Sequence, residues 1–252
     1  MAIRERVLDG ARVGPNTTVV DVGAGTGLLT LGAVERVPPD GTIFAVDPSV
    51  DSLDEIRRIS TYGGVYYLIG EAAVLPLPDA CADAVVTRSV LIHVEDLASV
   101  AGEFARVLRP GGRASLFEPV GRKGTYAADV IDWSGLGELG DRVRVESREF
   151  IEEHDPLSRF DDDVLVEFLA TNGFEQVERD LEEWDTSWEV TPEAVEIRMN
   201  AIAAPGQPST KGRWVSSFGP EAAERVLAHV KSLAGTRAET RVVTAHVTAV
   251  RT

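Results

Sequence analysis

The stretch VVDVGAGTGLLTLG (19–32) sets Asp21, Gly23, Gly25 and Gly27 within seven positions, directly behind β-branched residues. Glycines at such a bend let the main chain approach a bound molecule closely. A second carboxylate, Asp47, ends the run TIFAVD (42–47), twenty residues beyond Gly27. A carboxylate at the end of a second strand can accept both hydroxyls of a ribose, which favours an adenosine-containing ligand. A dinucleotide turn would share these features, but its fingerprint is G-x-G-x-x-G. Here the spacing is G-x-G-x-G, with Leu28 where the third glycine would fall. A plainer reading has the glycines only packing a helix tightly against a sheet.

These residues need strands and helices to hold them, and the first half of the chain supplies both in alternation. TTVVDV (17–22), TIFAVD (42–47), GVYYLIG (64–70), ADAVVTRS (82–89) and RASLFEP (113–119) read as strands. Helical spacing is predicted over 28–37, over 49–60 with Ser49 or Asp51 as cap, and over 96–109. On the second of these, Leu53, Ile56 and Ile59 are expected to share one face. Pro38 and Pro39 stop the first helix, and RPGG (109–112) turns the chain into the fifth strand. Such alternation implies an α/β fold with a parallel sheet that binds ligands at the carboxyl ends of its strands.

Composition narrows the function further. The chain has 252 residues, 44% of them hydrophobic, enough for one large domain or one domain with a sizeable insertion. A net charge of −16 argues against a nucleic-acid surface. No apolar run approaches the roughly 20 residues of a membrane span, and the opening MAIRERVLDGARVGP lacks the apolar segment of a signal peptide. One cysteine, Cys81, rules out an internal disulfide framework, and no Cys/His cluster has metal-ligand spacing. A cytoplasmic protein without a metal, a nucleic-acid partner or a membrane partner is the expectation; the oligomeric state is not readable.

Four consecutive segments then acquire a joint meaning: VVDVGAGTG (19–27), IFAVDPS (43–49), GEAAVLPLPDACADAVVTRSVLIHVED (70–96) and RVLRPGGRASLFEP (106–119). In this order and spacing the chain resembles the class I, Rossmann-like S-adenosylmethionine (SAM) dependent methyltransferases, and in detail their small-molecule branch. The resemblance covers about residues 17–119. It implies a doubly wound seven-stranded sheet, mostly parallel with an antiparallel last strand, and SAM as cofactor. It also assigns roles. Gly23, Ala24, Gly25 and Gly27 would let the backbone approach the methionine part of SAM, with Asp21 near its ammonium group. Asp47 would take the ribose hydroxyls and Pro48 would lie against the adenine. Glu71 and Ala72 would read the adenine edge; the family more often has Asp at position 71, which puts that side-chain contact in question. Arg88 and Ser89 would offer backbone groups to the methionine end, and the Arg88 guanidinium could equally be a solvated strand-end charge.

A sulfonium methyl is already activated, so its transfer needs alignment, desolvation and, for some acceptors, a base titrating near neutral pH. Among His93, His154, His229 and His246, only His93 follows the fourth strand and would lie near the methyl group. Its plainer role is to cap or brace the next helix. Missing motifs remove several acceptor classes. There is no Asn/Asp-Pro-Pro-Tyr/Phe after the fourth strand, no Pro-Cys nucleophile, too few cysteines for arsenic, and no basic aromatic patch for RNA. A small organic acceptor is left.

The second half departs from a minimal fold. Residues 120–160 and 186–240 are longer than connectivity requires, while only about one helix's worth of chain precedes the first strand. The chain is therefore expected to be one methyltransferase domain over 1–252, with these two insertions forming a helical substrate cap. Tyr126 or Trp133 would face the cavity, or simply pack. A capped helix is predicted over 161–174, strands over 175–185 and 242–250, and helices near 192–203 and 219–234. Three readings stay open: a SAM-dependent methyltransferase acting on an O, N or C atom, a NAD-linked oxidoreductase, and a non-catalytic SAM-binding or partner-binding protein.

Overall fold

The computed structural model describes residues 3–38, 40–154, 160–202 and 208–252. The chain divides into two compact units, Met1–Pro119 with Asp161–Glu182 and Thr244–Thr252, and Val120–Phe160 with Glu183–Val243.

The first unit begins with α1 (Ile3–Gly10) and then alternates: β1 (Val19–Val22), α2 (Leu28–Val34), β2 (Ile43–Asp47), α3 (Val50–Ile59), β3 (Val65–Ile69), β4 (Ala82–Arg88), α4 (Leu97–Val107) and β5 (Leu108–Pro119). Strands β6 (Phe174–Glu189) and β7 (Arg237–Arg251) complete a seven-stranded sheet in the order β3-β2-β1-β4-β5-β7-β6. The pairs β1–β2, β1–β4, β2–β3 and β4–β5 are parallel, and β7 runs antiparallel to β5. All four residues of β1 are buried, as a parallel strand covered on both faces demands.

Local chemistry explains the boundaries. The Ser49 hydroxyl accepts from the Ser52 N–H, which resolves the cap of α3 in favour of Ser49 over Asp51. Asp96 caps α4 in the same way through the Ser99 N–H. Leu53 and Ile56 are buried as expected, but Ile59 is 57% exposed, because each step of three residues falls about 60° short of a full turn and carries this last helical residue off the buried face. The RPGG segment does not precede β5; it is a bulge within it. Ala82 pairs with Leu108 and Ala84 with Arg113, so residues 109–112 loop out, with Gly111 at φ 81°. The predicted helix over 161–174 is α7 (Asp162–Ala170), capped by Asp161.

The second unit is largely helical. It contains α5 (Ala127–Val130), α6 (Glu138–His154), α8 (Pro192–Asn200), α9 (Thr210–Phe218) and α10 (Pro220–Ser232). Pro192 and Pro220 occupy first-turn positions, where a missing N–H costs nothing. Its core is aromatic, with Trp133 and Trp214 packed edge to face at 6.4 Å among Val143, Val195, Val226 and Val230. Strands β6 and β7 are longer than predicted at the ends that belong to this unit. They close on one another where the Val190 N–H donates to the Thr236 carbonyl and the Gly235 N–H to the Val190 carbonyl, both at 2.9 Å.

Candidate active site

The carboxyl ends of β1, β2, β3 and β4 surround a cleft of about 740 Å³, and every residue lining it belongs to the first unit. Of the twelve residues singled out in the sequence, the structure places Asp21, Gly23, Ala24, Gly25, Asp47, Pro48, Glu71, Ala72, Arg88, Ser89 and His93 on its wall. Gly27 is not on the wall. It starts α2 at φ 95°, and a Cβ there would lie 3.0 Å from Ile56, so its bareness serves helix packing.

Two glycines have other reasons. At Gly23 (φ 68°) a Cβ would sit 2.3 Å from Val90 Cγ2, so the turn after β4 approaches the main chain directly. At Gly25 (φ 51°) a Cβ would meet nothing within 4 Å, which leaves open space beside exposed backbone. The Gly25 N–H is turned inward and donates to Asp47 Oδ2 at 2.8 Å, while the Ser49 N–H donates to Oδ1 at 2.8 Å. Asp47 is 8% exposed and held by two backbone amides, so its carboxylate is fixed in direction with lone pairs to spare.

Asp21 is buried at the base of the cleft, and burial pushes its carboxyl up to about 6 against the opposing pull of the Thr30 hydroxyl. That hydroxyl donates to Asp21 Oδ2 at 2.6 Å. Arg88 ends β4 with its side chain exposed, and Ser89 follows in the left-handed region at φ 54°, a strained conformation for a residue with a Cβ. The Ser89 N–H donates to the Phe117 carbonyl at 2.9 Å, which holds it there. Glu71 and Ala72 make a tight turn closed by the Val74 N–H on the Glu71 carbonyl at 3.1 Å.

The histidines separate cleanly. His93 ends a single 3-10 turn (Leu91–His93) and is exposed on the cleft, while the helix behind it is capped by Asp96. His154 stacks on Phe150 at 4.4 Å, and His229 Nε2 lies 2.6 Å from the Asp132 carbonyl. His246 sits between Ser115 and Arg6, where burial lowers its pKa to about 4. Among the described residues no group of three His, Cys, Asp or Glu side chains could hold a metal ion, and no helix is long and apolar enough to cross a membrane.

Sequence reasoning missed Thr30, whose only signal is a hydroxyl in an apolar helix. It also missed Val90 and Leu28 as wall residues; Leu28 had served only as evidence against a dinucleotide turn. Trp133, considered for the cavity, is buried in the second unit's core, where its Nε1–H donates to the Ala128 carbonyl at 2.8 Å.

Residues 20–116 match the family described as "Methyltransferase domain". Over this segment the chain is similar to methyltransferase domains. It is 38% identical over 104 residues to the malonyl-[acyl-carrier protein] O-methyltransferase of Xylella fastidiosa, covering 40% of this chain and 35% of that protein. It is 33% identical over 121 residues to the nocamycin O-methyltransferase of Saccharothrix syringae, covering 47% and 43%. The match thus spans well under half the length of these relatives. The fold follows that of a Bacillus halodurans C-125 protein across 99% of both chains, with TM-score 0.65 and 19% identity. A geranyl diphosphate methyltransferase crystallised with SAM superposes over 100% of this chain and 85% of its own, with TM-score 0.53 and 19% identity.

Proposed function

We propose that the protein is a SAM-dependent methyltransferase acting on a small organic acceptor. The observation that carries this reading is Asp47. Its carboxylate is locked by the Gly25 and Ser49 amides and stands beside open backbone at Gly25. The donor set suits an adenosine bearing an amino acid: a fixed acceptor for a diol, the flat apolar face of Pro48 for a base, and the buried Asp21 for an ammonium group. When bound, SAM supplies a methyl group already activated as a sulfonium substituent. The chain's own contribution is alignment and exclusion of water, with His93 available to take a proton from an acceptor O–H or N–H at the cleft. Relatives named as O-methyltransferases support a small-molecule acceptor. The second unit, built from the two long connections, is the part we assign to acceptor selection and to covering the site during transfer.

Calorimetry with S-adenosylhomocysteine (SAH), SAM and NAD tests the cofactor. Micromolar affinity for the first two, roughly −8 kcal/mol, and no heat from NAD is the expected result. Tight NAD binding would replace this reading with the oxidoreductase one. Labelled SAM offered with a metabolite panel tests the reaction; binding without turnover across the panel would make the protein a non-catalytic SAM binder.

A further inference from the structure

A carboxyl outside the cleft lining has no role yet. Glu118 lies at the carboxyl end of β5 and is fully buried, between Phe117 and Pro119. Its Oε1 accepts the Val90 N–H at 3.0 Å, and the amides of Leu91 and Ile92 are also directed at the carboxyl. Among the described residues no hydrogen-bond partner reaches its Oε2. An ionisable group in such a position is costly, since desolvating a carboxylate in an apolar interior takes several kcal/mol. Leucine or methionine would fill the same space without that cost. What they could not do is accept consecutive backbone amides.

Those amides belong to the turn that leaves β4 for the cleft. Ser89 is held at φ 54° by the Phe117 carbonyl, and the next residue, Val90, is held by Glu118. Val90 in turn fills the space that a side chain on Gly23 would need. Two neighbouring residues of β5 therefore grip two neighbouring residues of the turn, and the turn is keyed into the glycine bend.

We infer that Glu118 is a positioning residue for the cofactor cleft, fixing the 89–92 turn through its amides so that Ser89, Val90 and His93 keep their places on the wall. This rests on the reading of the cleft as a SAM site. The electrostatics agree with the geometry. Burial pushes the Glu118 carboxyl up to about 7, opposed by the amides of Val90, Leu91 and Ile92 and by the Arg88 guanidinium on β4.

The test compares Glu118→Met, which keeps volume but accepts nothing, with Glu118→Gln, which keeps an acceptor oxygen. Two measurements are made, SAH affinity by calorimetry and hydrogen exchange at the amides of Val90, Leu91 and Ile92. For Glu118→Met we expect SAH binding weakened about tenfold and faster exchange at those amides, as loss of a charge-assisted bond implies. Glu118→Gln should restore slow exchange and bind within about threefold of the parent. A folded Glu118→Met protein that binds SAH as tightly as the parent would overturn the inference. Should Glu118→Met not fold, the parent decides: a Val90 amide exchanging at the rate of an unstructured peptide would overturn it equally. Failure of the parent to bind SAH at all would instead defeat the cofactor reading, leaving the exchange data to judge the anchoring role.

Discussion

The two units solve different problems with different parts of the amino-acid alphabet. In the first, the wall of the cleft is built from strand ends and the turns after them, and its two buried acidic side chains are each tied to a specific donor, Asp21 to Thr30 and Asp47 to two amides. In the second, order comes from large aromatic side chains. Trp133 and Trp214 are 8% and 3% exposed, Arg213 lies 3.5 Å over the Phe150 ring, and the buried Trp214 Nε1 has no partner among the described residues. Backbone geometry repeats faithfully because it depends on few residue types. Aromatic packing is particular to each sequence and can be reshaped without disturbing strand ends. On the reading proposed above, such a division would let one cofactor site serve many acceptors.

Excising the second unit's helices would break this comparison most directly. The Val190–Gly235 and Val190–Thr236 bonds already close β6 and β7, so residues 191–234 can be replaced there by a short turn. Trp133→Ser and Val143→Ser should accompany the change, to spare apolar surface that would lose its cover. Because the cleft is lined only by first-unit residues, SAH affinity should stay within a few-fold. Turnover of the acceptor should disappear. Retained turnover would show that acceptor choice resides in the first unit.

Next in size is Trp133→Ala. Removing a buried tryptophan costs about 3–5 kcal/mol in typical cores, and here the Ala128 carbonyl also loses its indole donor. The second unit should melt at lower temperature, followed by the fluorescence of Trp184, Trp188 and Trp214, which all lie in it, while SAH affinity stays unchanged. A fall in affinity parallel to the loss of stability would mean that the units do not behave separately.

The same contrast explains what could be read in advance. β1, β2 and β4 fall within a residue or two of their predicted bounds, because their runs end at a glycine, a proline and a serine held in the left-handed region. Asp47 was legible because its spacing from the glycines is itself a constraint, whereas Asp21 and Glu71 came only from the family resemblance. Helix α9 was not, since TKGRWVSSF has a glycine in its first turn and only a short apolar face; buried Arg213 and Trp214 stabilise it through tertiary contacts. The ends of β6 and β7 were missed because β6 is exposed along most of its length and shows no alternation to read. Nothing in RASLFEP singles out Glu118 beyond its being the one acidic residue of the strand. Only the neighbouring strands and the 89–92 turn reveal that it is buried.

Within the first unit, Asp47→Ala sharpens the argument. It removes the proposed acceptor of the ribose and also strips the Gly25 and Ser49 amides of their partner. Charge-assisted bonds contribute about 1.5–3 kcal/mol each, so SAH affinity should fall at least about tenfold. Circular dichroism should show the fold intact. Equal affinity in Asp47→Ala would place the ribose elsewhere.

The smallest predicted effect comes from Asp21 and depends on pH. Its carboxyl titrates at about 6 in the folded protein against 3.8 as its ordinary value, chiefly because burial disfavours the charge. The folded state therefore holds this proton more tightly than the unfolded chain. Asp21 lowers stability progressively as pH rises from about 4 to about 6, and the cost is complete above that. Cofactor affinity should move the other way. An ammonium group beside Asp21 needs the ionised form, so the competent fraction grows as pH rises through 6. If only that form binds, SAH affinity should improve by up to about tenfold between pH 5 and pH 7 and then level off. Glu118 titrates close by, so the series is repeated on Glu118→Gln to remove its contribution. Thr30 provides the decisive variant, because its hydroxyl favours the ionised carboxylate. Thr30→Val keeps the shape and loses the donor, which should move the midpoint upward by about one unit. Thr30→Ser should leave it in place. An affinity that is flat from pH 5 to 7.5, or a midpoint unmoved in Thr30→Val, would mean that Asp21 braces the glycine bend without meeting the ligand's charge.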